Sequence, residues 1–270
     1  MSILRARAAR LQRPLGLVLY NGPSSLDGEL IVVIATGFRR STANPKTGDM
    51  IQTWILRSDV APFSAIHSRG DESICGSCPL RRILEASDGQ YPTVNRRRGC
   101  YVNVHQAPTA VWQAYQRDRY EPFDAKQHLD LLRGRMLRIG SYGDPCAAPY
   151  STWSTIASAA SGRTGYSHQW RQGRFWRFRR LVMASVESLD DAKLARSKGW
   201  RTFRTTTAGE QPAAGEFVCP ASAEAGHRLT CDRCDACNGA ADNASRASVV
   251  IGVHGSPATL SSNHRLLGEH

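Results

Sequence analysis

Long hydrophobic runs are missing from the chain. Nowhere in its 270 residues do eighteen consecutive apolar residues occur, so no membrane-spanning helix is expected. The opening stretch MSILRARAARLQRPLGLVLYNG carries arginines, but its apolar part is too short and broken for a secretory signal. A cytoplasmic location without a membrane partner is the expectation. Internal repeats and long low-complexity segments are absent as well. Acidic residues are in short supply, with 23 Asp and Glu against 35 Lys and Arg, a net charge of +12 and a pI near 9.7. Lysine contributes little of that excess, and arginine dominates it. Such a balance favours a phosphate-bearing partner, a nucleotide or a nucleic acid. The plainer explanations are solubility and the codon habit of a genome rich in G and C. The apolar share of 41% suffices for a packed core, and the length suits one large domain or one domain with an appendage.

Strand signals open the chain. GLVLY and ELIVVIATG flank the turn-like NGPSSLDG as a hairpin, and MIQTWIL adds a further strand. Residues 57–100 are polar, glycine-rich and cysteine-bearing, which predicts a loop. APTAVWQAYQRD, 107–118, predicts a helix with Pro108 in its first turn. Strands and helices then alternate. GRMLRIGSYGDP reads as a strand ending in a glycine-rich loop, YSTWSTIASAAS as a helix and RTGYSHQWR as a short strand or its exit loop. FRRLVMASVES reads as a strand and LDDAKLARSKGW as a helix. RTFRTT, EFVCPAS and ASVVIGVHGS close the series as strands. This rhythm implies parallel strands with crossover connections. The expected fold is α/β: a partial (β/α) barrel of about six parallel strands, with an N-terminal β-hairpin extension and Cys-rich metal-binding loops. The β-rich extension spans 1–56, the Cys-rich barrel 57–256, and a disordered tail 257–270.

Eight cysteines in a reducing compartment point to metal more than to disulfides. They fall into two sets, with Cys146 of GDPCAAP standing alone. Cys219 with Cys231, Cys234 and Cys237 combines an evenly spaced trio with one distant thiol. That pattern suits a [4Fe–4S] cluster, with zinc as the alternative, because structural zinc more often pairs two Cys-x-x-Cys knuckles. His227 could replace a cysteine on zinc, and free buried thiols are the plainer explanation. The first set holds only Cys75, Cys78 and Cys100. Three thiolates leave a metal position open to a small molecule, unless His67, His105 or Cys146 closes it.

Further candidates sit after strands, where parallel folds gather their chemistry. Asp144 follows Gly143 and could orient a ligand, act as a base or attack as a nucleophile, or simply form an Asp-Pro turn. His168 lies between Tyr166 and Trp170, suited to a flat ring or to a satisfied half-buried histidine. Glu187 follows an apolar strand, beside Ser188, which suits a helix cap. Two stretches could face phosphate. NRRRGC presents Arg96, Arg97 and Arg98. RQGRFWRFRR interleaves Arg171, Arg174, Arg177, Arg179 and Arg180 with Phe175, Trp176 and Phe178, as base-stacking surfaces do. Its bland counterpart is an amphipathic segment with buried aromatics. The Gly-x-x-Gly of GVHGS is a weak phosphate signal.

The layout resembles radical S-adenosylmethionine enzymes, in which a loop after the first barrel strand holds a [4Fe–4S] cluster by three cysteines. Here the loop after MIQTWIL carries Cys75, Cys78 and Cys100, without that family's Cys-x-x-x-Cys-x-x-Cys spacing. GSYGDP, with Gly140, Gly143 and Asp144, stands where the family has its cofactor-binding glycine loop. The resemblance implies a site for S-adenosylmethionine there, with His168, Glu187 and His254 at the same mouth. A second resemblance, on KTGDMIQTWIL, CGSCP, CYVN, LRIGSYGDP, GYSHQW, MASVES, GWRTFR, CPAS and TCDRCDAC, is to the phage and plasmid "gene product 88" family. It implies a phage setting, hence a host-cell cytoplasm, and no particular chemistry. Three functions follow as expectations: a radical-type iron–sulfur enzyme acting on a nucleotide or nucleic acid; a zinc-containing, base-exchanging enzyme resembling transglycosylases, with Asp144 as nucleophile; and a zinc-stabilised nucleic-acid binder without catalysis.

Overall fold

Runs of β-branched residues set the first strands. Gly16–Pro23 forms β1 and Leu30–Thr36 forms β2, an antiparallel hairpin. Its turn closes through the Gly28 amide on the Ser24 carbonyl, with Gly28 at φ 88°, where L side chains are disfavoured. Ile31, Val32, Val33 and Ile34 are wholly buried, so this strand is covered on both faces. Strand β3, Met50–Arg57, pairs antiparallel with β2. The computed structural model describes residues 13–39, 44, 46–81, 99–206, 210–240 and 247–253.

Between β3 and the next long strand lie α1 (Pro62–His67), the single turn α2 (Glu72–Cys75) and α3 (Ala107–Gln116). Residues 57–100 are therefore not simply a loop, as the polar composition suggested. Pro62 and Ile66 supply enough buried apolar surface to anchor a short helix. The two-residue β4 (Glu121–Pro122) adds to β1, and Asp124 caps α4 (Ala125–His128).

The alternating half then follows. Strand β5 is Met136–Tyr142, α5 Tyr150–Ala159 and β6 Gly162–Ser167. A 3₁₀ segment, Gly173–Arg180, leads to β7, Met183–Val186. Phe178, Arg179 and Arg180 thus belong to the 3₁₀ segment and not to a strand. Burial of Phe175 and Phe178 three residues apart matches a threefold period. Ser188 caps α6, Leu189–Ser197, through the Asp191 amide at 3.1 Å. Next come β8 (Thr202–Thr206), β9 (Glu216–Val218), α7 (Cys231–Cys234) and β10 (Ser248–Gly252).

The ten strands of the described residues form one open sheet in the order β4-β1-β2-β3-β5-β6-β7-β8-β10-β9. From β3 through β5, β6, β7 and β8 to β10, neighbours are parallel and follow chain order. Rims of two and three residues, β4 and β9, end the sheet. Along β5 the side chains alternate. Leu137 and Ile139 enter the core with Trp153, Ile156 and Phe178, while Arg138 and Gly140 face a cavity on the other side. A smaller core of Met183, Cys219, Ala221, Cys237, Val249 and Ile251 lies at the far end of the sheet. Among the described residues no helix is long and apolar enough to cross a membrane. The tail 257–270 lies outside the described residues.

Candidate active-site cavity

The cavity measures about 500 Å³ and lies against one face of the parallel strands and the loop that follows β5. Trp54 of β3, Arg138 of β5, Tyr166 of β6, Ser185 of β7 and Phe203 of β8 line it. So do Cys75, Cys78, Cys100, Gly140, Gly143, Asp144 and His168. The first cysteine set, Cys219 and Cys231 of the second, and two of the three post-strand candidates, Asp144 and His168, therefore share one space, while Glu187 is not in its wall. A single cavity of this size is the usual form of a small-molecule site.

Local packing fixes the cysteine loop. Arg81 joins Asp71 at 2.9 Å, donates to the Gly76 carbonyl at 2.9 Å and also meets Glu72. Gln169, wholly buried, donates to the Cys75 carbonyl at 3.1 Å and accepts from Ser77 at 3.1 Å. This ties the CGSC turn to the exit of β6. The Cys78 amide reaches the Cys75 carbonyl, and the Cys100 amide reaches Leu80 at 2.8 Å.

Asp144 sits at the centre of this arrangement. Its Oδ1 accepts from Ser167 Oγ at 2.8 Å and the Cys146 amide at 2.9 Å. Its Oδ2 accepts from the His168 amide at 2.8 Å and from Gln169 at 3.4 Å. Burial raises its pKa, opposed by the Cys146 amide and the nearby His168. The carboxylate thus organises the β5 and β6 exits. Gly143, at φ 83°, lies so close to β3 that a Cβ would fall 2.7 Å from the Ile55 Cβ and 2.9 Å from its carbonyl. Gly140 is likewise at positive φ, 72°, and its amide donates to Thr53 at 2.9 Å.

His168 Nε2 meets Glu187 Oε1 at 2.7 Å. Burial works against the charged imidazole, but the facing Cys78 and Glu187 outweigh it and hold the pKa well above the ordinary value. Cys78 and His168 both line the cavity, and Glu187, outside its wall, holds the His168 ring.

The second cysteine set closes around a neighbouring void of about 20 Å³, lined by Cys219, Cys231, Cys234 and Cys237 with Tyr166. Helix α7 docks onto the turn before β3. The Cys231 amide meets the Lys46 carbonyl at 3.0 Å, and Asp232 accepts from the Asp49 amide at 3.0 Å. Burial raises the Cys219 and Cys231 thiols and pushes Cys237 up to about 12. A cation bound to these sulfurs would reverse that, since thiolate is the ligand form. Thiols are the donor type that a thiophilic metal or cluster takes. Yet these four line the void without forming a ligating group: among the described residues, no group of three or more His, Cys, Asp or Glu is arranged to hold a metal ion.

Other expectations redistribute. Cys146 is wholly buried against Ser167 Oγ at 3.3 Å and is not in the cavity wall. His67 meets the Phe63 ring edge-on and His105 meets it at a tilt, each with ring centres 4.5 Å apart, and both lie outside that wall. His227 turns its Nδ1 to the Ala221 carbonyl, 3.0 Å away, and does not line the thiol void. His254, Arg96, Arg97 and Arg98 lie outside the described residues.

The basic 3₁₀ segment runs from the cavity end of β6 to the start of β7. Phe175 and Phe178 enter the core, whereas Trp176 is half exposed beneath Arg179, 4.0 Å from its ring centre. Arg174 covers Phe175 and Arg177 covers Tyr150, at 4.5 and 4.7 Å. Arg171 pairs with Asp191, and Arg180 is exposed. The segment is amphipathic, with its cations fanned over aromatic rings on the outer face.

Sequence reasoning missed Arg138, Gln169 and Lys46, and it named Tyr166 only as a neighbour of His168. A charged residue between Leu137 and Ile139 in an otherwise apolar strand was the available signal for Arg138. No family model, curated protein or solved structure matches the chain.

Proposed function

We propose that the chain is an iron–sulfur enzyme on a partial (β/α) barrel, acting on a nucleotide or nucleic acid as its radical S-adenosylmethionine-like layout implies, in a phage or plasmid setting. One observation carries this. The three thiols Cys75, Cys78 and Cys100 and the loop from Gly140 to Asp144 open on the same cavity of about 500 Å³. The six parallel strands in chain order and the cavity on one face of the sheet support the barrel-like layout.

Cys75, Cys78 and Cys100 would hold a [4Fe–4S] cluster, and Cys219, Cys231, Cys234 and Cys237 a second, fully ligated centre. A three-thiolate cluster supplies, when bound, one electron to a sulfonium cofactor such as S-adenosylmethionine. The chain's own part is positional. Gly140 and Gly143 let the loop approach a ligand without side-chain bulk, and Asp144 holds the exits of β5 and β6 in register. His168, kept protonated against Glu187, faces the space as a hydrogen-bond donor.

A zinc-containing base-exchanging enzyme needs Asp144 as nucleophile, and four donors already occupy that carboxylate. A non-catalytic nucleic-acid binder held together by zinc draws support from the basic 3₁₀ segment alone. Anaerobic purification with iron, sulfide and zinc analysis separates these. A brown protein with equal iron and sulfide is expected, losing part of its iron in Cys78→Ala and another part in Cys234→Ala. A colourless protein with stoichiometric zinc sinks the iron–sulfur reading. Binding to single-stranded DNA and RNA is expected to weaken, with a shallower salt dependence, when Arg177 and Arg180 become Gln.

A further inference from the structure

One end of the cavity is cationic. Arg138, midway along β5, and Lys46, before β3, both line it. The two lie near enough for each charge to bear on the other. Arg138 Nη2 donates to Tyr101 Oη at 3.2 Å, and its guanidinium carbon stands 5.6 Å from the Tyr166 ring centre. Among the described residues no carboxylate pairs with Arg138. Asp144, the carboxylate among the described walls, already accepts from Ser167, Gln169 and two amides.

A guanidinium keeps its charge, and enclosing it without a counter-charge is costly. Burial disfavours a charge on the neighbouring Cys231 thiol, and the guanidinium donates to the Tyr101 phenol. Trp54, Phe203 and Ile251 give the cavity aromatic and apolar wall, and Gln52, Asn103, Ser141 and Thr205 add neutral polar groups to it. Such a chamber matches a flat apolar body ending in an oxyanion.

We infer that this cavity binds a small organic phosphate of nucleoside monophosphate size, with Arg138 forking onto the oxyanion, Lys46 beside it, and the base against Trp54 and Phe203. A guanidinium fork matches phosphate oxygens two at a time, which a point charge does not. The inference rests on the nucleotide side of the proposed function and not on its metal.

Isothermal calorimetry of the full chain as purified anaerobically tests it. The probes are nucleoside monophosphates, the matching nucleosides, inorganic phosphate and S-adenosylmethionine. Saturable binding of a monophosphate is expected, with the matching nucleoside at least about tenfold weaker, the size of one charge-assisted contact. Arg138→Met is expected to lose about tenfold or more with unchanged metal content, and Arg138→Lys to fall between. Lys46→Gln, expected to lose a few-fold, provides the test if Arg138→Met does not fold.

Several results overturn the inference: no monophosphate binding, equal binding of nucleoside and monophosphate, or wild-type affinity in Arg138→Met. Binding of S-adenosylmethionine alone reassigns the anion to a carboxylate and also overturns it. Metal loss in Arg138→Met shows that the charge serves the thiolates. A metal-free, colourless protein that still binds monophosphate through Arg138 sinks the cluster reading and leaves this inference standing.

Discussion

Asp144 accepts hydrogen bonds from Ser167 Oγ and the Cys146 and His168 amides, all within 2.9 Å. Removing the carboxylate strands those donors in a buried place, at about 1–3 kcal/mol each. Asp144→Ala is therefore expected to lower unfolding free energy by about 3 kcal/mol or more in urea. Asp144→Asn keeps an acceptor and is expected to lose less than half of that. Wild-type stability in the alanine variant would refute a scaffold role. The motif GSYGDP was legible as the site of interest, because two glycines and an Asp-Pro after an apolar strand mark an unusual turn. The purpose of the aspartate was not. Its partners at 167 and 168 lie more than twenty residues on, and no local rule joins them. Arg138 escaped notice for a related reason, since a polar residue in an alternating strand ordinarily faces water.

Elements show the same division. Strands with β-branched runs, such as LIVVIAT, announced themselves. The stretch FRRLVMASV did not, because its arginines and aromatics fit either a strand or a 3₁₀ turn until packing chose. Between β8 and the edge strand β9, a buried pair replaces apolar contact. Arg204 joins Glu216 at 2.7 Å, with side chains 1% and 0% exposed. Burial alone would raise the Glu216 pKa, but Arg204 and the Ala213 amide bring it below the ordinary 4.5. A depressed carboxylate pKa contributes stability that is present above 4.5 and lost as pH falls through the lower folded value. Glu216→Gln is expected to cost about 3 kcal/mol near neutral pH, the scale for breaking a buried ion pair. Its deficit against wild type is expected to shrink below pH 4.5. Denaturation curves at pH 7 and pH 4 check this, and an equal deficit at both would reject it.

At the scale of the whole molecule, the α/β alternation and mostly parallel sheet were readable from the rhythm of the chain. Cys219, Cys231, Cys234 and Cys237, grouped from their spacing as one metal site, line one void without a ligating group among the described residues, and the shared cavity of the first set depended on folding. The small core at the far end of the sheet includes Cys219 and Cys237. If metal holds that corner, removing it under anaerobic conditions is expected to speed hydrogen exchange in β9, β10 and α7. Strands β1, β2 and β3, whose core is aliphatic, are expected to keep their protection. Uniform exchange before and after chelation would speak against a metal there. The sheet's rims carry a separate consequence. Strand β4 pairs only Leu17 and Val18 of the eight-residue β1, so among the described residues most of that strand's outer edge carries no further strand. A second copy adding a strand is thus expected to start at β1 in concentrated solutions of a destabilised variant.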